Sequence, residues 1–152
     1  MFININEIKN GDKLEFSLLK DELDISELEE TALCRFVLTK LKTRVRIKGD
    51  VSFKLNITCA RCLEVVTKQF NEKVDCILER ESPCIIKEEK IALTTTDTEK
   101  YYYAGDEVDI TPLVRDTILL AIPIKPLCTP DCRGLCPYCG ENLNEGDCKC
   151  KQ

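Results

Sequence analysis

The chain contains no histidine and no tryptophan, a single methionine, and no apolar run longer than the seven residues of ILLAIPI at 118–124. Each absence narrows what the protein can be. Without histidine it lacks the commonest general base and the imidazole metal ligand. Any transition-metal site must therefore be built from thiolates, alone or with carboxylates. A run of seven is far below the roughly 20 apolar residues of a membrane-spanning helix, so no membrane association is expected. The opening stretch MFININEIKNGDKLEF has no basic segment followed by an apolar one and does not read as a secretory signal. A cytoplasmic protein is expected. No compact group of carboxylates shows hydrolytic-metal spacing, which argues against a nuclease, and no small-molecule substrate site is evident.

What the chain has is cysteine, eleven in 152 residues. In a reducing compartment such a content points to metal binding or redox work rather than a disulfide framework. The odd count also leaves one thiol over in any all-disulfide scheme. The length suits one domain of ordinary size with a real core, and the hydrophobic fraction of 43% is normal for a globular protein.

Residues 1–32 carry nine Asp or Glu against three Lys, and residues 33–80 eleven Lys or Arg against five acids. FININEI and KLEFSLL alternate as short strands do. DELDISELEE reads as a solvated acidic turn or short helix. FVLTKLKTRVRIKGDVSFKLNITC alternates polar and apolar almost throughout, the pattern of half-buried antiparallel strands, with Gly49-Asp50 as a turn between two of them. EVVTKQFNEKVDCILERE supplies another strand or two. Residues 81–108 read as a connecting loop with a short strand at Tyr101–Tyr103. One good helix follows at about 111–122: Thr111 fits the N-cap and Pro112 the first turn. Leu113, Val114, Thr117, Ile118 and Ala121 share its apolar face. The expected class is α+β, mainly an antiparallel β-meander or partly closed sheet with one main C-terminal helix. Residues 1–126 form the body, and a cysteine-rich tail at 127–152 packs on it.

Six cysteines fall between 127 and 150. A tetrahedral zinc site takes four ligands. Cys136 and Cys139, in CPYCG, form a C-x-x-C knuckle, and Cys148 and Cys150 can close a site with them. Cys128 and Cys132 are left. The only other closely spaced pair is Cys59 and Cys62, in TCARCLE, so a second four-sulfur site would join the sheet to the segment after the helix. Two Zn²⁺ per chain are expected, with Cys34, Cys76 and Cys84 left over; Cys34 and Cys76 read as small buried hydrophobes. The rival partition has one tail site and free thiols elsewhere. The run Cys132, Cys136, Cys139 also matches the C-x-x-x-C-x-x-C of radical enzymes, but those need a large α/β barrel that this chain is too short to build. Cys59 and Cys62 could be a redox dithiol, yet that motif opens a helix within a βαβ unit, whereas here it lies between strands. Arg61 would lower a thiol pKa or donate to metal-bound thiolates.

Taken together, TCARCLE and DITPLVRDTILLAIPIKPLCTPDCRGLCPYCGENLNEGDCKC resemble the YceD family of large ribosomal RNA accumulation proteins over about residues 33–150. The resemblance implies a role in accumulating or processing 23S ribosomal RNA and in large-subunit assembly, with a ribosomal RNA precursor or a large-subunit ribosomal protein as partner. It brings no enzymatic activity.

One feature bears on RNA contact directly. Lys40, Lys42, Arg44, Arg46 and Lys48 occupy every second position. On a continuous strand all five would project from one face and could track phosphates. The alternative is a solvated face, neutralised by the acidic N-terminal segment. The tyrosines at 101–103 could stack on bases, although alternation sends Tyr102 to the opposite face from its neighbours. The net charge of −5 does not suggest a general RNA binder, and two four-thiolate zinc sites would bring it to −9, a further −8 + 4. The favoured reading is a zinc-binding, non-enzymatic factor in ribosome assembly. A zinc-built adaptor between proteins, or a thiol redox protein, are the alternatives.

Overall fold

The computed structural model describes residues 1–42, 44–80 and 100–150. The strands are β1 (Phe2–Asn4), β2 (Asp12–Leu19), β3 (Thr31–Leu41), β4 (Arg44–Thr58), β5 (Val65–Arg80), β6 (Lys100–Tyr103) and β7 (Glu107–Asp109). The helices are α1 (Lys20–Leu23) and α2 (Thr111–Ala121). Strands β2 to β6 form one open five-stranded sheet in sequence order, and β1 pairs with β7 in a separate two-stranded ribbon. The alternation read from the sequence is what pairs β2, β3, β4 and β5 as an antiparallel meander. The sheet does not close into a barrel. Its last pair departs from a pure meander, since β6 runs parallel to β5. A parallel neighbour needs a crossover of about a dozen residues or more, and the stretch 81–99 between them supplies that length. Cys84 lies outside the described residues, as does most of the expected loop at 81–108; at its end, Glu107–Asp109 is a strand rather than loop.

One face of the sheet is the core. Ala32, Cys34, Phe36 and Leu38 of β3, Val45, Ile47 and Val51 of β4 and Leu78 of β5 are buried together with Val114 and Ile118 of α2. The helix faces the sheet as its periodicity requires, with Leu113 and Ala121 flanking the buried pair. It starts one residue earlier than expected: Thr111 is the first helical residue rather than the cap, so Pro112 falls within the first turn. Asp109 takes over part of the capping role, its Oδ1 accepting from the Thr111 N–H at 3.0 Å and the Thr111 hydroxyl at 2.7 Å. Cys34 and Cys76 are core residues, and burial pushes their thiols up to about 12 and about 11.

Two expectations fail here. The acidic segment after β2 is not simply solvated surface, because Leu23, Ile25 and Leu28 are buried in the core. Their irregular spacing follows neither a helix nor a strand, since Asp24 takes a left-handed φ of 51° between them. The segment runs along β4, with Glu29 N–H donating to the Lys54 carbonyl at 3.0 Å and Asn56 N–H to the Glu27 carbonyl at 2.7 Å. The second failure is Gly49-Asp50, which is no turn. Both residues sit inside β4, paired with Phe36 and Arg35 of β3. The reversal comes instead at Lys42, which adopts a φ of 53°. Glycine is needed at 49 for closeness: a Cβ there would lie 1.9 Å from the Arg35 carbonyl oxygen.

Beyond the reach of β3, the two longest strands continue as an arm. Leu55 and Ile57 of β4 and Val66 and Phe70 of β5 carry the core along it, and Phe53 stacks on Phe70 at 5.5 Å. The first cysteine knuckle closes this arm at its end.

Candidate metal centres

The turn between β4 and β5 is a tight knuckle. Cys59 N–H donates to the Glu64 carbonyl at 2.8 Å, and Leu63 N–H to the Cys59 carbonyl at 3.0 Å. The second knuckle repeats this geometry: Cys136 N–H donates to the Glu141 carbonyl at 2.8 Å, and Gly140 N–H to the Cys136 carbonyl at 2.9 Å. The residue after the second cysteine is left-handed in both, with φ of 62° at Leu63 and 76° at Gly140. Glycine adopts that region at no steric cost; for Leu63 the cost is about 1–2 kcal/mol. The turn points the Cys59 and Cys62 sulfurs the same way, and the ordered chain beyond α2 brings two more to meet them.

Cys59, Cys62, Cys128 and Cys132 form one cluster, and Cys136, Cys139, Cys148 and Cys150 another; within each, all four sulfurs lie within 4.8 Å of one another. The two sets are those that spacing alone assembles. The radical-enzyme triplet is thereby divided, Cys132 going to the first cluster and Cys136 and Cys139 to the second. All ten described cysteines are free thiols.

In the first cluster the Cys59 and Cys132 sulfurs are 3.7 Å apart and those of Cys62 and Cys128 3.6 Å. A tetrahedron with metal–sulfur bonds of about 2.3 Å has edges of about 3.8 Å, so the donor set fits zinc in identity, number and spacing. Cys59, Cys62 and Cys132 are buried, and Leu127 and Leu135 pack against them as a small second core. Buried thiolates need donors. The Arg61 N–H points to Cys59 Sγ at 3.4 Å, and the Asn144 amide nitrogen to Cys132 Sγ at 3.3 Å. The Arg61 guanidinium does not reach a sulfur as expected; it donates to the Cys132 carbonyl at 2.8 Å and ties the two halves of the site together. Further ties hold the tail to the arm: Ala60 N–H donates to the Pro126 carbonyl at 2.7 Å, Lys68 Nζ to the Leu127 carbonyl at 2.5 Å, and the Asn142 amide to Glu64 Oε1 at 2.7 Å.

The second cluster is tighter and more open to solvent. Cys136 Sγ lies 3.4 Å from both Cys148 and Cys150, which are 3.0 Å apart, and Cys139 is exposed.

The thiols of each cluster divide into ready and reluctant acids. Backbone N–H groups, that of Cys62 first, draw Cys59 down to about 6. The N–H groups of Cys139 and Tyr138 do the same for Cys136, also to about 6. The Asn144 amide is the leading cause of the lowered Cys132. Cys62 has the Glu64 N–H lowering it, but burial and the neighbouring thiols outweigh this and push it up to about 12. Cys150 is raised, first by its bonds with Cys148 and Cys136. Each cluster thus offers an ionised sulfur near neutral pH, and a divalent cation binding there would displace the protons of the others.

The row of five cations is not a row. The turn at Lys42 breaks the strand, and alternation puts Lys40 on the same side as the buried residues of β3 while Arg44, Arg46 and Lys48 face outward from β4. Those three meet acids of β5. Arg46 makes a bidentate pair with Asp75 at 2.7 and 2.8 Å, holding its carboxyl below the usual range. Lys48 lies 3.8 Å from Asp75, and Arg44 2.5 Å from Glu79. The neutralising charges come from the next strand, not from the N-terminal segment. Tyr103 is buried and Tyr102 is 44% exposed, as alternation requires.

Among the described residues no helix is long and apolar enough to cross a membrane. Comparison with known proteins places the chain. Residues 47–152 match the family described as large ribosomal RNA subunit accumulation protein YceD. A maize protein named large ribosomal RNA subunit accumulation protein YCED homolog 1, chloroplastic, is 28% identical over 137 residues, covering 75% of this chain and 46% of the relative. Its Arabidopsis thaliana namesake is 26% identical over 162 residues, covering 93% and 50%. An uncharacterised protein of Mycobacterium bovis is 30% identical over 99 residues, covering 65% and 45%. The chain thus spans about half the length of these relatives. No solved structure matches it. The chain, with both knuckles and the connecting helix inside the matched region, belongs to the YceD family.

Proposed function

We propose that the protein is a non-enzymatic factor for large-subunit ribosomal RNA accumulation whose fold is held by two zinc ions. The observation that supports this best is the paired four-sulfur clusters. Four thiolates fill a tetrahedral zinc ion completely, which is the arrangement of a structural site; a catalytic zinc keeps one position for water or substrate. Cys59, Cys62, Cys128 and Cys132 would hold one ion, and Cys136, Cys139, Cys148 and Cys150 the other. Elemental analysis of protein purified under reducing conditions should return about two zinc ions per chain. The double change Cys59→Ser with Cys62→Ser should return one. A wild-type value of one sinks the two-site reading, and a value of zero with ten or more titratable thiols sinks both sites.

The partner is a ribosomal RNA precursor or a large-subunit ribosomal protein, and the charge pairing favours the protein. Arg44, Arg46 and Lys48 already have carboxylate partners, so a phosphate must compete for them. If these three alone touch RNA, affinity should fall with salt on a log–log slope no steeper than about −2, three contacts at about −0.7 each. A filter-binding series on single-stranded RNA across salt measures this. A steeper slope, abolished by Arg44→Glu with Arg46→Glu, would restore the phosphate-tracking face and displace the adaptor reading.

A further inference from the structure

The two clusters are not independent neighbours. The stretch between Cys139 and Cys148 is the loop that the second site closes, and it folds back onto the first. Leu143 N–H donates to the Gly134 carbonyl at 2.9 Å, and the Asn142 side chain reaches Glu64 of the first knuckle. Asn144, in the middle of this loop, is held on both sides of its amide. Its Oδ1 accepts from the Arg133 N–H at 2.8 Å, and its Nδ2 donates to Asn142 Oδ1 at 2.8 Å. The same nitrogen points at Cys132 Sγ at 3.3 Å. A residue of the loop enclosed by one cluster thus supplies a hydrogen-bond donor to a sulfur of the other.

We infer that the second site governs the first: metal held by Cys136, Cys139, Cys148 and Cys150 fixes the loop that presents the Asn144 amide to Cys132, and so raises the metal affinity of the buried site. Asn144 is a positioning residue. It touches a ligand sulfur, not the ion. The inference rests on the two-zinc reading above. Its physical basis is general, since a donor to a ligating atom orients it and stabilises its anionic form, and removing such a partner typically costs ~10–100-fold in metal affinity. Because binding free energies are linked, metal in the first site must raise the affinity of the second by the same factor.

Cobalt(II) titration under anaerobic, reducing conditions tests this, read by sulfur-to-metal charge-transfer absorption, with Zn²⁺ competition for absolute affinities. Four variants are compared with the wild type. Cys148→Ser with Cys150→Ser leaves only the buried site, and its affinity there should fall ~10–100-fold. Cys59→Ser with Cys62→Ser leaves only the tail site, whose affinity should fall by the same factor. Asn144→Asp keeps the acceptor for Arg133 but puts a carboxylate oxygen where the donor was. It should weaken the buried site at least as much as Asn144→Ala, whereas a purely space-filling role predicts that the isosteric Asp is the milder change. In both Asn144 variants the tail site reports that the chain is folded. Should either variant lose both sites, the comparison between the two single-site proteins decides. Single-site affinities equal to the wild-type values overturn the coupling while leaving two zinc sites in place. A wild type that takes up neither Co²⁺ nor Zn²⁺ overturns the two-zinc reading itself.

Discussion

Stripping the proposed zinc from the buried cluster should loosen the β4–β5 arm and lower the melting temperature of the whole chain, not merely fray the tail. The reason is topological. An ion shared by Cys62 and Cys128 closes a loop of 66 residues, 128 − 62. On the chain-entropy account used for cross-links, a closure of that length is worth about 4 kcal/mol, a large part of a typical domain stability of about 5–15 kcal/mol. At roughly 2–4 °C per kcal/mol for a chain of this size, the loss corresponds to a fall of about 8–16 °C. Far-UV circular dichroism melts with and without a strong chelator read the total. Hydrogen exchange reads the place: protection should vanish first at 53–58 and 65–70, where β3 no longer flanks the arm, and persist at 33–38 and 45–48. Cys128→Ser should reproduce the loss, and Cys148→Ser at saturating zinc should not. An unchanged melt in fully metal-free protein would refute the cross-link.

Gly49→Ala should be nearly as damaging, for a different reason. The new methyl would stand 1.9 Å from the Arg35 carbonyl oxygen, 2.8 Å from the Phe36 Cα and 2.9 Å from the Arg35 carbonyl carbon. These are backbone atoms, so no rotamer change makes room; β3 must move away from β4. Nine register pairs hold those strands together, from Leu33↔Ser52 to Leu41↔Arg44. Ordinary overpacking costs about 1–3 kcal/mol where side chains can adjust, and a clash with a paired backbone should cost about 3 kcal/mol or more. Urea denaturation measures it. Gly146→Ala is the control: nothing lies within 4 Å of its added methyl, and the midpoint should stay within the ±0.5 kcal/mol of a neutral surface change. Equal effects from the two substitutions would mean that the close approach at Gly49 does not exist.

These two glycines show where reading the sequence succeeds and where it stops. Glycine followed by aspartate is a turn signal on local grounds, yet Gly49 is kept for a contact with a strand more than ten positions away, which no local rule can see. The true reversal at Lys42 carries no turn residue. A strand continuous through 40–48 would carry five cations on one face, and the hairpin divides them. The buried Leu23, Ile25 and Leu28 escaped for a related reason, lying at intervals of two and three in an acidic stretch. What was legible obeyed short-range geometry. Alternation gave β2 to β5, the 3.6-residue period gave the buried face of α2, and the close pairing of eight cysteines, two pairs to each site, grouped their sulfurs into the two sets that the fold brings together. The parallel placement of β6, the role of Asp109 beneath the helix and the reach of Asn144 to Cys132 depend on tertiary approach, and asparagine in a glycine-rich loop reads only as turn chemistry.

The distance in sequence between the two halves of the buried cluster also sets a clock. A ribosome extending the chain at about 5–20 residues per second needs roughly 3–13 seconds to travel from Cys62 to Cys128. Through that interval the arm can pair its strands, but its tip carries two thiols with no partners. All seven strands precede Cys128 in the chain, so the backbone pairing of the body can form before the buried cluster has its four sulfurs. On the two-zinc reading, the segment at 127–135 would then be joined to the arm by a metal ion as well as by the burial of Leu127 and Leu135 against the cysteines.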